Sequence, residues 1–248
     1  MAKRLIILTG WACPEAWLKP LAQACGPGVA PEVRAVLALH SANASSSDLS
    51  RYAAGLIHWL ESDSAGAWVV GWSMGGLVAL EACRARPDLF QGLVLLGATA
   101  RFSRTEGYPS GVRDVSVHML ARRLARDPEV ALSRWLKDGA RFPVLPEEEA
   151  IHLAKSALRA FTISELLEGL NYLLGADWRP ELMRLRLPVL LLHAREDVLV
   201  PLAAAGTLAE ALSGAQLKVY DRADHFFPMR RPGEVASDIM AFLSESVS

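Results

Sequence analysis

A serine between two glycines, placed where a strand would turn into a helix, limits the fold of this 248-residue chain more than any other feature. The sequence Gly71-Trp72-Ser73-Met74-Gly75 follows the apolar, β-branched run Ala67–Val70 and precedes the helix-forming run Leu77–Cys83. A Cβ atom at either glycine would collide with the neighbouring strand or helix where the chain reverses. The pattern therefore predicts a buried strand, a tight turn that exposes the Ser73 hydroxyl, and a packed helix.

Apolar runs that alternate with helical patterns predict a mostly parallel sheet covered by helices on both faces. The predicted strands are the short apolar runs Leu5–Leu8, Val33–Leu39, Ala67–Val70, Leu93–Leu96, Val189–His193 and Leu217–Tyr220. The predicted helices around them are Pro14–Ala24, Asp48–Leu60, Leu77–Cys83, Leu202–Leu212 and Glu234–Phe242, with a polar loop over Asn43–Ser47. This alternation indicates one α/β domain, an ordinary size for a chain of this length.

The alternation stops after the fourth predicted strand and returns only at Pro188. The intervening segment has no strand-like run and instead contains amphipathic helical stretches around Val112–Ala125, Pro128–Leu136, Pro146–Leu158 and Ser164–Leu174. We therefore predict that residues 1–100 and 181–248 form the α/β core. Residues 101–180 would form a helical lid inserted between two strands of the sheet.

The composition excludes several classes of function. Lysine and arginine together number 26 against 27 for aspartate and glutamate, so no overall charge attracts nucleic acid or a membrane surface. The three cysteines, Cys13, Cys25 and Cys83, are an odd number without metal-like spacing, which fits free thiols in a reducing cytoplasm. No segment has the roughly 20 uninterrupted apolar residues of a membrane span. We expect a cytoplasmic monomer that needs no metal or other cofactor.

A serine hydroxyl is a weak nucleophile, so the exposed Ser73 predicts a base and an acid that orients the base. Asp197 follows the predicted strand Val189–His193, and His225 follows the last strand, Leu217–Tyr220. Glu196 competes with Asp197 for the role of the acid, but it lies one residue away and would point elsewhere. Each residue alone has a plainer explanation, for example Asp197 as a helix cap. The chain order Ser73, Asp197, His225 instead favours a catalytic triad of the α/β-hydrolase type.

Ester cleavage also needs hydrogen-bond donors for the negative oxygen of the tetrahedral intermediate. In such a fold the donors are two backbone N–H groups, one from the residue after the nucleophile and one from a loop beyond an earlier strand. Met74 follows Ser73, and Gly10-Trp11 follows the first predicted strand. These positions predict an oxyanion site between the two segments.

Taken together, these motifs make the chain similar to the α/β-hydrolase family. The residues that carry the likeness are Gly10-Trp11, the segment Gly71–Val78, Phe102-Ser103, the stretch Ser133–Leu136, and the loops with Asp197 and His225. Within the family, the chain most resembles the esterases of biotin synthesis, which remove a methyl group from a pimeloyl chain bound to an acyl-carrier protein. The resemblance implies a serine esterase with Trp11 and Met74 at the oxyanion site. It also implies that Trp135 and Gly139 line an acyl channel.

The first part of the lid is basic in an otherwise near-neutral chain. Between residues 101 and 141, nine basic residues accompany five acidic ones. Such a surface would attract an acidic carrier protein or a substrate carboxylate, and the candidate docking residues are Arg122, Arg123, Arg126 and Arg134. A solvated helical face is the alternative explanation.

Two other functions stay open for the chain as a whole. One is a broad carboxylesterase or C–C bond hydrolase on small substrates, and the other is a binding protein with an inactive triad.

Overall fold

In this computed structural model, the residues described are 2–39, 49–62 and 66–246. The predicted polar loop Asn43–Ser47 lies outside them. Six strands form the sheet: β1 Lys3–Leu8, β2 Val29–Arg34, β3 Ala67–Trp72, β4 Phe90–Leu96, β5 Val189–Ala194 and β6 Gln216–Tyr220. Ten α-helices lie in the described part of the chain: α1 Lys19–Ala24, α2 Arg51–Leu60, α3 Met74–Ala85, α4 Asp114–Arg126, α5 Pro128–Gly139, α6 Glu147–Ala160, α7 Ile163–Gly175, α8 Leu202–Ala211, α9 Phe227–Arg230 and α10 Pro232–Glu245.

The strands lie in the order β2-β1-β3-β4-β5-β6, and every described pair is parallel. β3 and β5 are buried along their whole length, as expected for strands with helices on both faces. Because the strands are parallel, their carboxyl ends lie at one edge of the sheet. The loops after β1, β3, β5 and β6 therefore meet there, and they contain the residues predicted to react.

The second predicted strand, Val33–Leu39, is wrong in its position. β2 runs over Val29–Arg34, and Val36–Ala38 forms a buried 3₁₀ turn. β2 is an edge strand, so it tolerates Pro31, which has no N–H to donate, and it exposes every second residue. The apolar run after it forms a buried turn that packs against α2, α3 and α7 and does not extend the sheet.

The predicted first helix, Pro14–Ala24, is divided in two. A 3₁₀ turn covers Glu15–Trp17, and α1 begins only at Lys19, with Leu18 outside helical geometry between them. Pro20 lies in the first turn of α1, where its missing N–H costs no hydrogen bond. The proline therefore marks the start of a new helix within the predicted one.

The segment between β4 and β5 contains α4 to α7, each within three residues of a predicted helical stretch. We keep the name lid for residues 101–180. The two ends of the lid are joined: Trp178 N donates to Ala100 O, and Arg101 Nη1 lies 2.6 Å from Asp177 Oδ2. These contacts bring the first and last residues of the lid together, next to the end of β4.

A second contact joins the lid to the core beside α3. Glu81 on α3 is buried, and its carboxylate accepts hydrogen bonds from Ser50 N, Ser50 Oγ and the hydroxyl of Tyr172 on α7. Burial, and secondarily the neighbouring Glu81 charge, raises the pKa of Tyr172 well above its ordinary value. The phenol therefore keeps its proton and donates a hydrogen bond to the carboxylate. Within the described residues, no helix is long and apolar enough to cross a membrane.

Candidate active site

The turn between β3 and α3 holds Ser73 in an unusual backbone conformation, with φ 55° and ψ −116°. Glycines allow the backbone segments of this turn to approach each other closely. A Cβ atom on Gly71 would lie 2.6 Å from Gly76 Cα, and one on Gly75 would lie 2.6 Å from Thr9 O. A strained conformation of this kind persists only where its surroundings fix it, and such sites are often functional. The turn presents the half-buried Ser73 to a cavity above the sheet edge.

Asp197 and His225 are hydrogen-bonded to each other beside this cavity. Asp197 Oδ2 lies 2.7 Å from His225 Nδ1, and both side chains are buried. The other carboxylate oxygen of Asp197 accepts from Leu199 N at 2.9 Å and Val200 N at 2.8 Å. Trp72 Nε1 donates to the carbonyl oxygen of His225 at 3.0 Å, which ties the histidine loop to β3. These bonds fix the imidazole, and Ser73 and His225 both line the cavity.

Glu196, the alternative acid, turns away from the histidine side chain. Its Oε2 accepts a hydrogen bond from Ala223 N at 3.0 Å, so it supports the loop after β6. Gly97, at the end of β4, provides space for the Asp197–His225 contact. A Cβ atom there would lie 3.4 Å from both Asp197 Oδ2 and His225 Nδ1.

The loop after β1 approaches the serine closely. A Cβ atom on Gly10 would lie 3.2 Å from Ser73 Cβ. Within the described residues, the backbone N–H groups of Trp11 and Met74 have no hydrogen-bond partner. Two free N–H groups in segments that flank a serine are the arrangement that oxyanion stabilisation requires. Thr9 supports the loop, because its hydroxyl bonds to Cys13 O at 2.6 Å and Val36 N at 3.3 Å.

The cavity has a volume of about 360 Å³ and is mostly apolar. Trp11 and Trp135 form part of its wall and contact each other edge to face at a centroid distance of 5.0 Å. Lid helices supply most of the remaining wall. No sequence motif points to the apolar residues among them, which are Val117, Leu120, Ala131, Leu170 and Leu173. Amphipathic periodicity marks the buried face of each helix, but it does not tell which buried residues border an empty space.

The other residues predicted to bind substrate occupy different positions around the cavity. Arg123 and Arg134 are exposed and line it, whereas Arg122 and Arg126 are exposed on the lid outside its wall. In the described part of the chain, none of these four arginines has an ion-pair partner. Gly139 lies behind the wall, where an added Cβ atom would lie 2.6 Å from Leu199 Cδ1 and 2.9 Å from Phe226 Cε2. Gly139 therefore allows close packing of α5 and does not itself border the cavity.

His193 is a further buried histidine near the predicted acid, and sequence reasoning gave it no role. Its Nε2 lies 2.8 Å from Val200 O and 3.7 Å from Asp197 Oδ2. Burial lowers the pKa of His193 below its ordinary value. The neutral ring can donate Nε2–H to the Val200 carbonyl and hold the loop that supplies N–H donors to Asp197. Across residues 2–39, 49–62 and 66–246, no group of three or more histidine, cysteine, aspartate or glutamate side chains could hold a metal ion.

Comparison with known proteins identifies relatives of this chain in sequence and in fold. The pimeloyl-[acyl-carrier protein] methyl ester esterase of Aromatoleum aromaticum is 33% identical over 245 residues, which cover 94% of each chain. Its counterpart in Nitrosomonas europaea is 35% identical over 159 residues, or 63% of each chain. Among solved structures, bromoperoxidase from Bacillus anthracis shares the fold at a TM-score of 0.83 and 18% identity, covering 98% of this chain and 92% of its own.

The esterase EaEST from Exiguobacterium antarcticum has the same fold, with a TM-score of 0.81, 18% identity and the same coverage of both chains. At 18% identity, the likeness to these structures shows the fold alone. The sequence profile of the alpha/beta hydrolase family matches residues 5–238. This match spans the core and the lid, and it confirms the family and the fold class predicted from the motifs. The chain belongs to the alpha/beta hydrolase family.

Proposed function

We propose that this chain is a serine carboxylesterase in which Ser73, His225 and Asp197 act as a triad. The observation that carries the proposal is the 2.7 Å bond between Asp197 and His225 beside a cavity that Ser73 also lines. Asp197 holds Nδ1 of the imidazole, so Nε2 is the nitrogen available to take a proton. Ser73 attacks the ester carbonyl, and its proton passes to His225.

The negative oxygen of the tetrahedral intermediate is held by the free N–H groups of Trp11 and Met74. The intermediate breaks its bond to the alcohol, which leaves with the proton from His225, and the acyl group remains on Ser73 as an ester. Water then loses a proton to His225 and attacks this acyl-enzyme. The carboxylic acid leaves, and Ser73 recovers its proton.

We infer that the natural substrate is the methyl ester of a pimeloyl chain on an acyl-carrier protein. The two relatives described above have that activity in their names. An apolar cavity of about 360 Å³ suits an acyl chain. Arg123 and Arg134, which are exposed at its wall, suit the acidic partner that would present the chain. Biotin synthesis is the role that this substrate would imply.

Hydrolysis of pimeloyl-carrier methyl ester by the wild type and by Ser73→Ala tests this proposal, beside a series of p-nitrophenyl esters. The proposal predicts rapid release of methanol that depends on Ser73. Cleavage of short esters alone would keep the mechanism but refute the carrier substrate, and would favour a broad carboxylesterase or a C–C bond hydrolase. No turnover by the folded wild type would favour a binding protein with an inactive triad.

The docking arginines can be tested separately. Arg123→Glu together with Arg134→Glu should raise KM for the carrier-bound ester at least about tenfold and leave a free short ester unchanged, because charge complementarity mainly affects encounter with a charged partner. Lys19→Glu with Arg184→Glu is the matched control, since both residues are exposed and lie outside the lid. Equal KM values for the carrier ester in the two variants would contradict docking at these arginines. Arg122→Glu with Arg126→Glu tests the surface beyond the cavity wall in the same way.

A further inference from the structure

Asp224, the residue before His225, is completely buried, and the proposed chemistry does not use it. A buried carboxylate is costly unless hydrogen bonds and a counter-charge replace the water that it loses. Its partners in this structure therefore show which parts of the chain it holds together.

The carboxylate of Asp224 contacts three separate segments. Its Oδ2 accepts from Arg141 N at 2.6 Å, Phe142 N at 2.7 Å and Arg230 Nη1 at 3.0 Å. Its Oδ1 accepts from Phe226 N at 3.0 Å, within the histidine loop itself. Arg230 Nη1 also donates to Pro143 O at 2.6 Å. One carboxylate thus joins the histidine loop, the last residue of α9 and the lid residues that follow α5.

These lid residues continue directly from the helix that forms one side of the cavity. α5 contributes Arg134 and Trp135 to the cavity wall and ends at Gly139. Beside the Asp224 bonds, Gly139 packs closely on Phe226, and the Trp135 ring contacts Phe226 edge to face at 5.6 Å. The carboxyl-terminal end of α5 is therefore fastened to residues 224–226, which include His225.

We propose that Asp224 is a positioning residue that holds the lid side of the cavity wall at a fixed position relative to His225. The role rests on the proposed function, because it assumes that His225 is the catalytic base. Asp224 touches neither substrate nor the reacting atoms. It acts by fixing residues 141–143, and through them the wall formed by α5, at a constant position relative to the histidine.

Asp224→Asn tests the proposal with almost no change in side-chain volume. N–H donors contact both oxygens of the Asp224 carboxylate, but the asparagine amide has only one oxygen. Its NH₂ group must therefore face N–H donors in place of one oxygen, and Arg230 loses its counter-charge. A wall displaced by about 1 Å can reduce turnover about 100-fold when substrate alignment depends on it. We expect kcat/KM for p-nitrophenyl octanoate, whose chain is long enough to enter the apolar cavity, to fall about 10- to 100-fold. For p-nitrophenyl acetate, which scarcely reaches the wall, we expect a fall of less than about threefold.

Hydrogen–deuterium exchange gives a readout that does not depend on activity. The backbone N–H groups of Arg141 and Phe142 donate to Asp224, so exchange over residues 139–145 should be faster in Asp224→Asn than in the wild type. The matched control is Asp238→Asn. Like Asp224, Asp238 pairs with a cation, here Lys218, and it also accepts from the Tyr220 hydroxyl; within the described residues, none of its hydrogen bonds reaches the lid.

Three results would overturn the proposal: an equal loss of rate with both esters, kinetics like those of the Asp238→Asn control, or unchanged exchange over residues 139–145. If Asp224→Asn does not fold, Arg230→Met can be used instead, because it removes the ion pair with Asp224 by changing a side chain that is partly exposed. The same preference for the short ester, in weaker form, is expected there. Failure of the wild type to cleave either ester would refute the proposed function, and the exchange experiment would still test the contact between Asp224 and the lid.

Discussion

Replacement of Asp197 by asparagine should remove catalysis and leave the fold intact. The carboxylate has two separate sets of partners: Oδ1 accepts from Leu199 N and Val200 N, and Oδ2 accepts from His225 Nδ1. The amide oxygen can keep both backbone donors in place. The NH₂ group then faces Nδ1 of the imidazole, which must lose its proton to accept from it. The ring carries its proton on Nε2 instead, so it cannot take a proton from Ser73.

The same substitution in a serine protease triad lowers kcat about 10⁴-fold, which corresponds to about 5 kcal/mol of transition-state stabilisation. Because Asp197 is likewise buried and hydrogen-bonded to Nδ1 of the histidine, we expect a loss of this size here. Initial rates with p-nitrophenyl butyrate measure it, and urea unfolding checks that the variant is folded. Glu196→Gln is the matched control, since its carboxylate bonds to Ala223 N and not to the histidine. A loss of less than about tenfold in Asp197→Asn, or an equal loss in Glu196→Gln, would refute the assignment.

Three further predictions concern stability. Tyr172→Phe removes a buried hydrogen bond to the Glu81 carboxylate, so the free energy of unfolding in urea should fall by about 2 kcal/mol, and an unchanged value would contradict that contact. Burial lowers the pKa of His193, so the unfolded chain binds a proton that the folded chain does not as pH falls below about 6.5. Between pH 7 and 5, the free energy of unfolding should therefore fall more steeply for the wild type than for His193→Gln. An equal fall in the two proteins would be inconsistent with a buried neutral ring. Hydrogen bonds from Arg179, and also from Arg101, lower the pKa of Asp177 to about 2. Asp177→Asn should lower the free energy of unfolding at pH 7. The difference in this free energy between variant and wild type should shrink to nothing as pH falls from about 4 towards 2. A difference that stays constant over this range would argue against the ion pair.

The parts of the fold that the sequence predicted correctly are those specified by neighbouring residues. The turn at Ser73 follows from two glycines and the flanking apolar runs, all within a few residues. The lid helices follow from helical periodicity over three or four turns. β2 was misplaced because an edge strand has no continuous apolar run, and Val36 and Leu37 gave a stronger signal from a buried turn.

The parts that the sequence did not predict depend on contacts between distant segments. Asp224 meets Arg141 and Phe142 across more than 80 residues of chain, and no local pattern marks such a contact. The role of His193 was missed because an apolar strand that ends in histidine gives no indication of what lies beyond it. The roles of Ser73, Asp197 and His225 remain predictions from chain order, to which the structure adds the contact between the acid and the histidine.

Covalent labelling of Ser73 tests the central claim most directly. A fluorophosphonate should react with the folded wild type to give a single adduct, and fragmentation of the labelled peptide should locate it on Ser73. Ser73→Ala should remain unlabelled, and His225→Gln should react far more slowly because the base that activates the hydroxyl is lost. No adduct on the folded wild type, or an adduct on another residue, would contradict the account of this chain as a serine esterase.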